Sequence, residues 1–226
     1  MPGLPDLQQS LSRVLSLPAQ QILMAIIAVS GTMALLTNHK ISTVSLLLQY
    51  VLLPQLLSER LHQSLFLSRL GIGFAICLIL YLTADHVQNW PIATESGGAS
   101  NERAVRGRPG DMGLTFRILT LALGAFVAYR LWRRYPLPPM PPELTLASYW
   151  LMITGILLAL MSLDPLRIGF GLLSFVNGFV GLYLFWEPGF LVTGLLNVVE
   201  ILFAMGVVLF AESWLHALTA DAEGNG

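Results

Sequence analysis

Residues 164–212 read DPLRIGFGLLSFVNGFVGLYLFWEPGFLVTGLLNVVEILFAMGVVLFAE. Two apolar runs flank the turn Trp186-Glu187-Pro188-Gly189. Each is long enough to cross a bilayer core of about 30 Å, which takes roughly 20 residues at 1.5 Å per residue. Read as an antiparallel helical hairpin, the stretch places Asn177, Asn197 and Glu200 where the pattern asks for hydrocarbon-facing side chains. A carboxyl in such a position is costly to keep, so functional reasoning begins there.

Composition extends this reading to the whole chain. Of 226 residues, 55% are apolar and 11% charged, and the mean hydropathy is +0.70. A water-facing domain carries about 25% charged residues, so the deficit excludes an ordinary soluble surface. The formal charge of −1 gives no reason to expect a nucleic-acid partner. A lone cysteine, Cys77, excludes an internal disulfide and a cysteine-based metal cage.

Working outward on the same ruler, spans fall at about 20–37, 41–58, 65–84, 114–132, 144–163, 165–186 and 190–212. The expected class is an all-α polytopic transmembrane bundle of about seven spans, with six to eight compatible. Residues 1–84 combine an amphipathic lead (Leu4, Leu7, Leu11, Val14, Leu15) with three spans. The lead reads as an interfacial helix in mature sequence rather than a signal peptide. Residues 85–113 form a hydrophilic loop, and residues 114–226 hold four spans, ending in the hairpin and a polar tail from Thr219. Pro136 to Pro142 predicts a stiff, extended connector, and Asp164-Pro165 predicts an N-cap followed by proline at the first helical position. No internal repeat is visible: helices 1–3 do not share the pattern of helices 5–7. Basic residues divide evenly, with Arg13, Arg60, Arg69, Arg130, Arg133 and Arg134 opposite Lys40, Arg103, Arg106, Arg108, Arg117 and Arg167. The cluster after helix 4 favours an N-terminus on the inside.

Asn177 lies 11 residues before Pro188 and Glu200 lies 12 after it, so both fall about 17 Å from the turn, near the bilayer midplane. Thr193, Asn197 and Glu200 share one helical face. Gly171, Ser174, Gly178 and Gly181 recur at three or four residues, a small-residue stripe that lets a neighbouring helix approach. The expectation is that Glu200 and Asn177 face each other, or a neighbouring subunit, across that contact. A carboxyl there is expected to be neutral or exchanging a proton, the alternative being that protonated Glu200 and the asparagines act as interhelical hydrogen-bond glue worth about 1 kcal/mol each. Gln49 reads as helix–helix glue and Pro54 as a kink. Arg69 and Arg117, near helix starts, read as snorkelling anchors. His39, His62, His86 and His216 have no ligand spacing, and no nucleophile, phosphate loop or Cys/His cluster stands out. No catalytic residue, metal or cofactor is therefore expected.

The run Gly169-Phe170-Gly171-Leu172-Leu173-Ser174-Phe175-Val176-Asn177-Gly178-Phe179, with Pro188, Leu191-Val192, Gly194-Leu195-Leu196 and Val198-Val199-Glu200, resembles the final hairpin of hydrogenase-4 component E. That family is similar to the small K subunit of complex I and to the C subunit of multisubunit cation/proton antiporters. Asn177-Gly178 match the family's Glu-Asn-Gly motif, whose Glu position is Val176 here, and Glu200 corresponds to the acid of the next helix. The resemblance covers about 50 of the 226 residues. It implies a non-catalytic membrane-arm subunit beside antiporter-like subunits, contributing one carboxylate to a proton path. The expected setting is the inner or plasma membrane of a prokaryote, with lipid and other membrane subunits as partners. If the complex is an oxidoreductase, this subunit is not its catalytic one. The competing reading is a stand-alone small transporter or channel, which normally shows broken helices in matched halves. A lipid-modifying membrane enzyme ranks third.

Overall fold

The computed structural model describes residues 18–36, 38–57, 63–89, 113–187 and 189–224. Among them are seven helices, one for each expected span: α1 (Ala19–Leu35), α2 (His39–Leu56), α3 (Gln63–Asn89), α4 (Leu114–Arg134), α5 (Pro142–Leu160), α6 (Pro165–Trp186) and α7 (Phe190–Gly224). Helices α3 to α7 are long and apolar enough to cross a membrane, whereas α1 is apolar but only 17 residues long. Helix α2 owes its lower hydropathy to Ser42, Thr43, Ser45, Gln49 and Gln55, all buried against neighbouring helices. The amphipathic lead, most of the 85–113 loop and Pro188 lie outside the described residues.

Local chemistry accounts for the helix ends. The Asp164 carboxylate accepts from the Leu166 N–H at 3.2 Å with Pro165 in the first turn, as expected, and Asn38 caps α2 through the Lys40 N–H at 3.0 Å. Helix α3 continues five residues past the expected end, to Asn89. Helix α7 runs on to Gly224, so the tail expected from Thr219 is helical. Ala217, Ala220 and Ala222 propagate a helix well. The proline-rich connector is a turn rather than an extended spacer. Its Met140 N–H donates to the Leu137 carbonyl at 2.7 Å, and the Met140 side chain is buried in the core. Burying that thioether chain favours the bend over an extended strap.

The helices stack as two rows of three. Helices α1, α2 and α3 pack in sequence, and so do α5, α6 and α7; α1 then lies against α5, α2 against α6 and α3 against α7. Helix α4 closes one end of the stack, touching α1 and α5. Contacts at the helix ends show the alternation of direction. His39 at the start of α2 pairs with Asp164 at the start of α6 (3.2 Å), and Lys40 pairs with Asp85 near the end of α3 (3.5 Å). The arrangement of helices thus repeats although the residue pattern does not, since each helix has different neighbours to satisfy.

The apolar core is split along the bundle axis. One half gathers Ile22, Leu53, Leu144, Leu151 and Val180, and the other gathers Met33, Leu46, Leu80, Phe170 and Val207. The closest helix crossing is α5 with α6. A Cβ added at Gly155 would lie 2.5 Å from the Gly171 carbonyl oxygen, and one at Gly171 would lie 2.6 Å from the Gly155 carbonyl oxygen. Gly178 meets Ser148 and Leu151 of α5 in the same way, and Gly181 meets Leu53 of α2. The small-residue stripe therefore serves α5 and α2 and is not the seam of the α6–α7 hairpin, where Val207 instead covers Gly169. Outer faces are apolar, with Leu119, Leu123 and Phe126 on α4 and Leu191, Leu195, Leu202 and Leu209 on α7 all exposed.

Because backbone atoms bound the space at Gly171, a side chain there cannot be accommodated by a rotamer change. Gly171→Ala is expected to destabilise the detergent-solubilised protein by about 1–3 kcal/mol. Gly194→Ala, with no atom within 4 Å of the added carbon, is expected to be neutral or to stabilise by up to about 1 kcal/mol. Thermal or denaturant unfolding followed by tryptophan fluorescence measures both, and equal losses would contradict the close-crossing account.

An ion pair at the centre of the bundle

Between the two apolar halves lies a polar layer. Its main element is Arg69, six residues into α3, whose guanidinium holds the Glu200 carboxylate of α7 by two parallel hydrogen bonds of 2.7 Å each. The same two nitrogens donate outward, one to the Asn197 side-chain carbonyl at 3.1 Å and the other to that of Asn177 at 3.0 Å. Four bonds thus use the four terminal N–H donors of the fork. Arg69 is 2% exposed, and Glu200 and Asn177 are fully buried. The Tyr50 ring of α2 lies 5.5 Å from the guanidinium carbon, within cation–π range. Its hydroxyl is buried on the Glu200 side without a well-formed hydrogen bond.

The helices deliver these groups for identifiable reasons. Asn177 and Glu200 approach the same guanidinium from α6 and α7, as expected for two residues at similar distances from the hairpin turn. Asn197 reaches it because it lies one helical turn from Glu200; its amide nitrogen also points to the Ser68 hydroxyl at 3.4 Å. Thr193 is buried on that face but bonds only its own helix, donating to the Gly189 carbonyl at 2.9 Å. Asn177 and Glu200 do not bond to each other. Each is bonded to the arginine.

Arg69 corrects the snorkelling expectation. Its side chain turns into the bundle because Glu200 offers a bidentate acceptor there, and a paired charge in low dielectric outweighs a solvated end at an interface. Charge balance was the available signal: a mid-depth carboxylate with no cation near its own depth on its hairpin calls for one from another helix. Arg117 is also buried, with a long contact of 3.4 Å to the Leu35 carbonyl, and Arg167 makes the same contact to Leu36. Both meet the carboxyl end of α1, where the helix dipole attracts cations.

The polar layer continues across α2. The Ser174 hydroxyl donates to the Gln49 carbonyl at 2.9 Å, and the Gln49 amide contacts the Met33 sulfur at 3.6 Å. Gln49 thereby joins α1, α2 and α6, and Ser174 contributes a hydrogen bond as well as small size. The Trp150 indole N–H donates to the Ser30 hydroxyl, tying α5 to α1. Pro54 lies inside α2, two residues before its end. Of the histidines, His39 is the one whose side chain is described, and it pairs with Asp164. Among the described residues, no group of three or more metal-ligating side chains comes together.

The chain matches no protein-family profile, and no curated protein or solved structure is significantly similar to it. Its class follows from the fold itself. Long apolar helices, apolar outer faces and a polar, charge-paired interior define a helical membrane protein.

Removing one partner of the pair leaves a buried charge. Arg69→Met alone and Glu200→Leu alone are each expected to cost about 3–5 kcal/mol. The double variant Arg69→Met/Glu200→Leu, which removes both charges, is expected to recover more than half of that loss. Unfolding of the two single variants and the double variant in one detergent measures the coupling, and additive losses would contradict a direct pair.

Proposed function

We propose that the protein is a non-catalytic integral membrane subunit of a larger redox- or ion-coupled complex, in which all seven helices cross the bilayer. The supporting observation is a deep charge pair that is matched within this chain. The Glu200 carboxylate and the Asn177 side chain of the final hairpin are both taken up by Arg69. The hairpin is the part of the sequence that resembles hydrogenase-4 component E. A mid-depth carboxylate beside the Asn-Gly pair suits a membrane arm of that kind, flanked by antiporter-like subunits in a prokaryotic inner or plasma membrane. The exposed apolar faces of α3, α4 and α7 suit lipid and neighbouring subunits.

In this reading Glu200 is a fixed partner. A proton placed on it would leave the Arg69 guanidinium uncompensated in the interior. A proton path through Glu200 would therefore need Arg69 to swing to a second acceptor.

Two measurements test the proposal. Purification in mild detergent is expected to bring other membrane subunits with the chain. Migration alone, with solute flux after reconstitution, would establish the stand-alone transporter instead. In the isolated complex, Glu200→Gln is expected to weaken assembly, with the complexes that do form turning over at the parent rate. Loss of proton-coupled turnover with assembly intact would make Glu200 part of the path.

A further inference from the structure

The carboxyl end of α4 carries charge that the bundle does not use. Arg130, Arg133 and Arg134 are exposed, and among the described residues none lies within ion-pairing distance of a carboxylate. Two are steadied by aromatic rings one turn back, Arg130 over Phe126 at 6.0 Å and Arg133 over Tyr129 at 5.5 Å. Cations in a last turn complement the helix dipole, but that terminus amounts to about half a charge, well short of three.

The surroundings of these arginines are those of a lipid. The three arginines share a shallow, open stretch of surface with Phe126, Val127, Leu131 and Tyr135. Leu123, Val127, Arg130 and Arg134 follow at steps of four, three and four residues, so one face passes from apolar to cationic along the helix axis. Leu123 and Phe126 are about 60% exposed on the bilayer side of that boundary. Arg130 and Arg134 stand at the membrane exit with Tyr135 and Trp132, where aromatic and basic anchors mark the headgroup level. Apolar below and cationic above is the profile of one anionic phospholipid standing upright.

We propose that this face binds an anionic phospholipid, with its phosphate on Arg130 and Arg134, Arg133 at the headgroup rim, and an acyl chain along Val127 and Leu123. The guanidinium forks suit phosphate oxygens, whereas a zwitterionic headgroup brings its own cation into the arginine cluster. The bundle end that carries α4's exit would then face the leaflet richer in anionic lipid, which is the cytoplasmic one. This inference needs only the membrane class of the protein and stands apart from the subunit reading.

Native mass spectrometry of the full chain tests it, released from micelles holding equal phosphatidylglycerol and phosphatidylcholine. Each arginine near an anionic headgroup is worth roughly fivefold in affinity. The parent protein is therefore expected to retain phosphatidylglycerol at least about fivefold more often. The triple variant Arg130→Gln/Arg133→Gln/Arg134→Gln is expected to fall to parity, and the triple lysine variant to keep a preference. No preference in the parent, or an unchanged preference in the glutamine variant, would overturn the proposal. On the parent alone, a photoactivatable phosphatidylglycerol is expected to crosslink within residues 123–135, and adducts confined elsewhere would overturn it. Displacement by millimolar inorganic phosphate would show a small-anion site and overturn the lipid assignment.

Discussion

The bundle is built about one bidentate contact, the Arg69 guanidinium on the Glu200 carboxylate. In a low-dielectric interior each charge alone would be prohibitive, and together they are tolerable only with good geometry and with the remaining lone pairs and protons bonded. The two asparagines meet part of this condition by accepting the outward N–H groups, while the Tyr50 hydroxyl and the Asn177 amide nitrogen stay buried without a well-formed hydrogen bond. Such a cluster adds less to stability than to uniqueness. Sliding α7 by one turn against α3 would leave both charges unmatched, whereas apolar packing alone would tolerate the slip. The pair therefore sets the register of α3 and α7, and Asn177 carries that register to α6.

Packing reinforces the same assignment elsewhere in the stack. The glycine-to-glycine crossing of α5 and α6 leaves no space for a side chain, so these two helices form a tight spine. Helices α1 and α2 lean on that spine through Trp150 with Ser30 and through Ser174 with Gln49. In lipid there is no hydrophobic force between helices beyond what the acyl chains already supply. Close backbone approach and buried hydrogen bonds do that work instead. This is why the side-chain hydrogen bonds that join helices, at Arg69, Gln49 and Ser30, are buried inside the bundle.

Much of this was legible from the chain. The seven apolar runs give the seven helices, because hydrophobic length on a fixed rise per residue is a local property. Asp164-Pro165 marks the start of α6 because capping is local chemistry. Equal spacing of Asn177 and Glu200 from the hairpin turn placed both near one level, and they meet on one guanidinium. Errors arose at helix ends and in the connector. Packing of Met140 bent the proline run, and Ala217, Ala220 and Ala222 carry α7 beyond its expected end.

By itself the sequence determined which segments are helical, where they begin, and that a carboxylate sits deep among them. Those features depend on neighbours within a few residues. The tertiary structure alone decided the partners: that Arg69 turns inward rather than to an interface, that the small-residue stripe of α6 serves α5 and α2, and that two rows of three helices face each other. Arg69 and Glu200 are 131 residues apart. No local pattern encodes that meeting, since a guanidinium at a helix start has two low-energy directions, and the carboxylate facing it in space selects one of them.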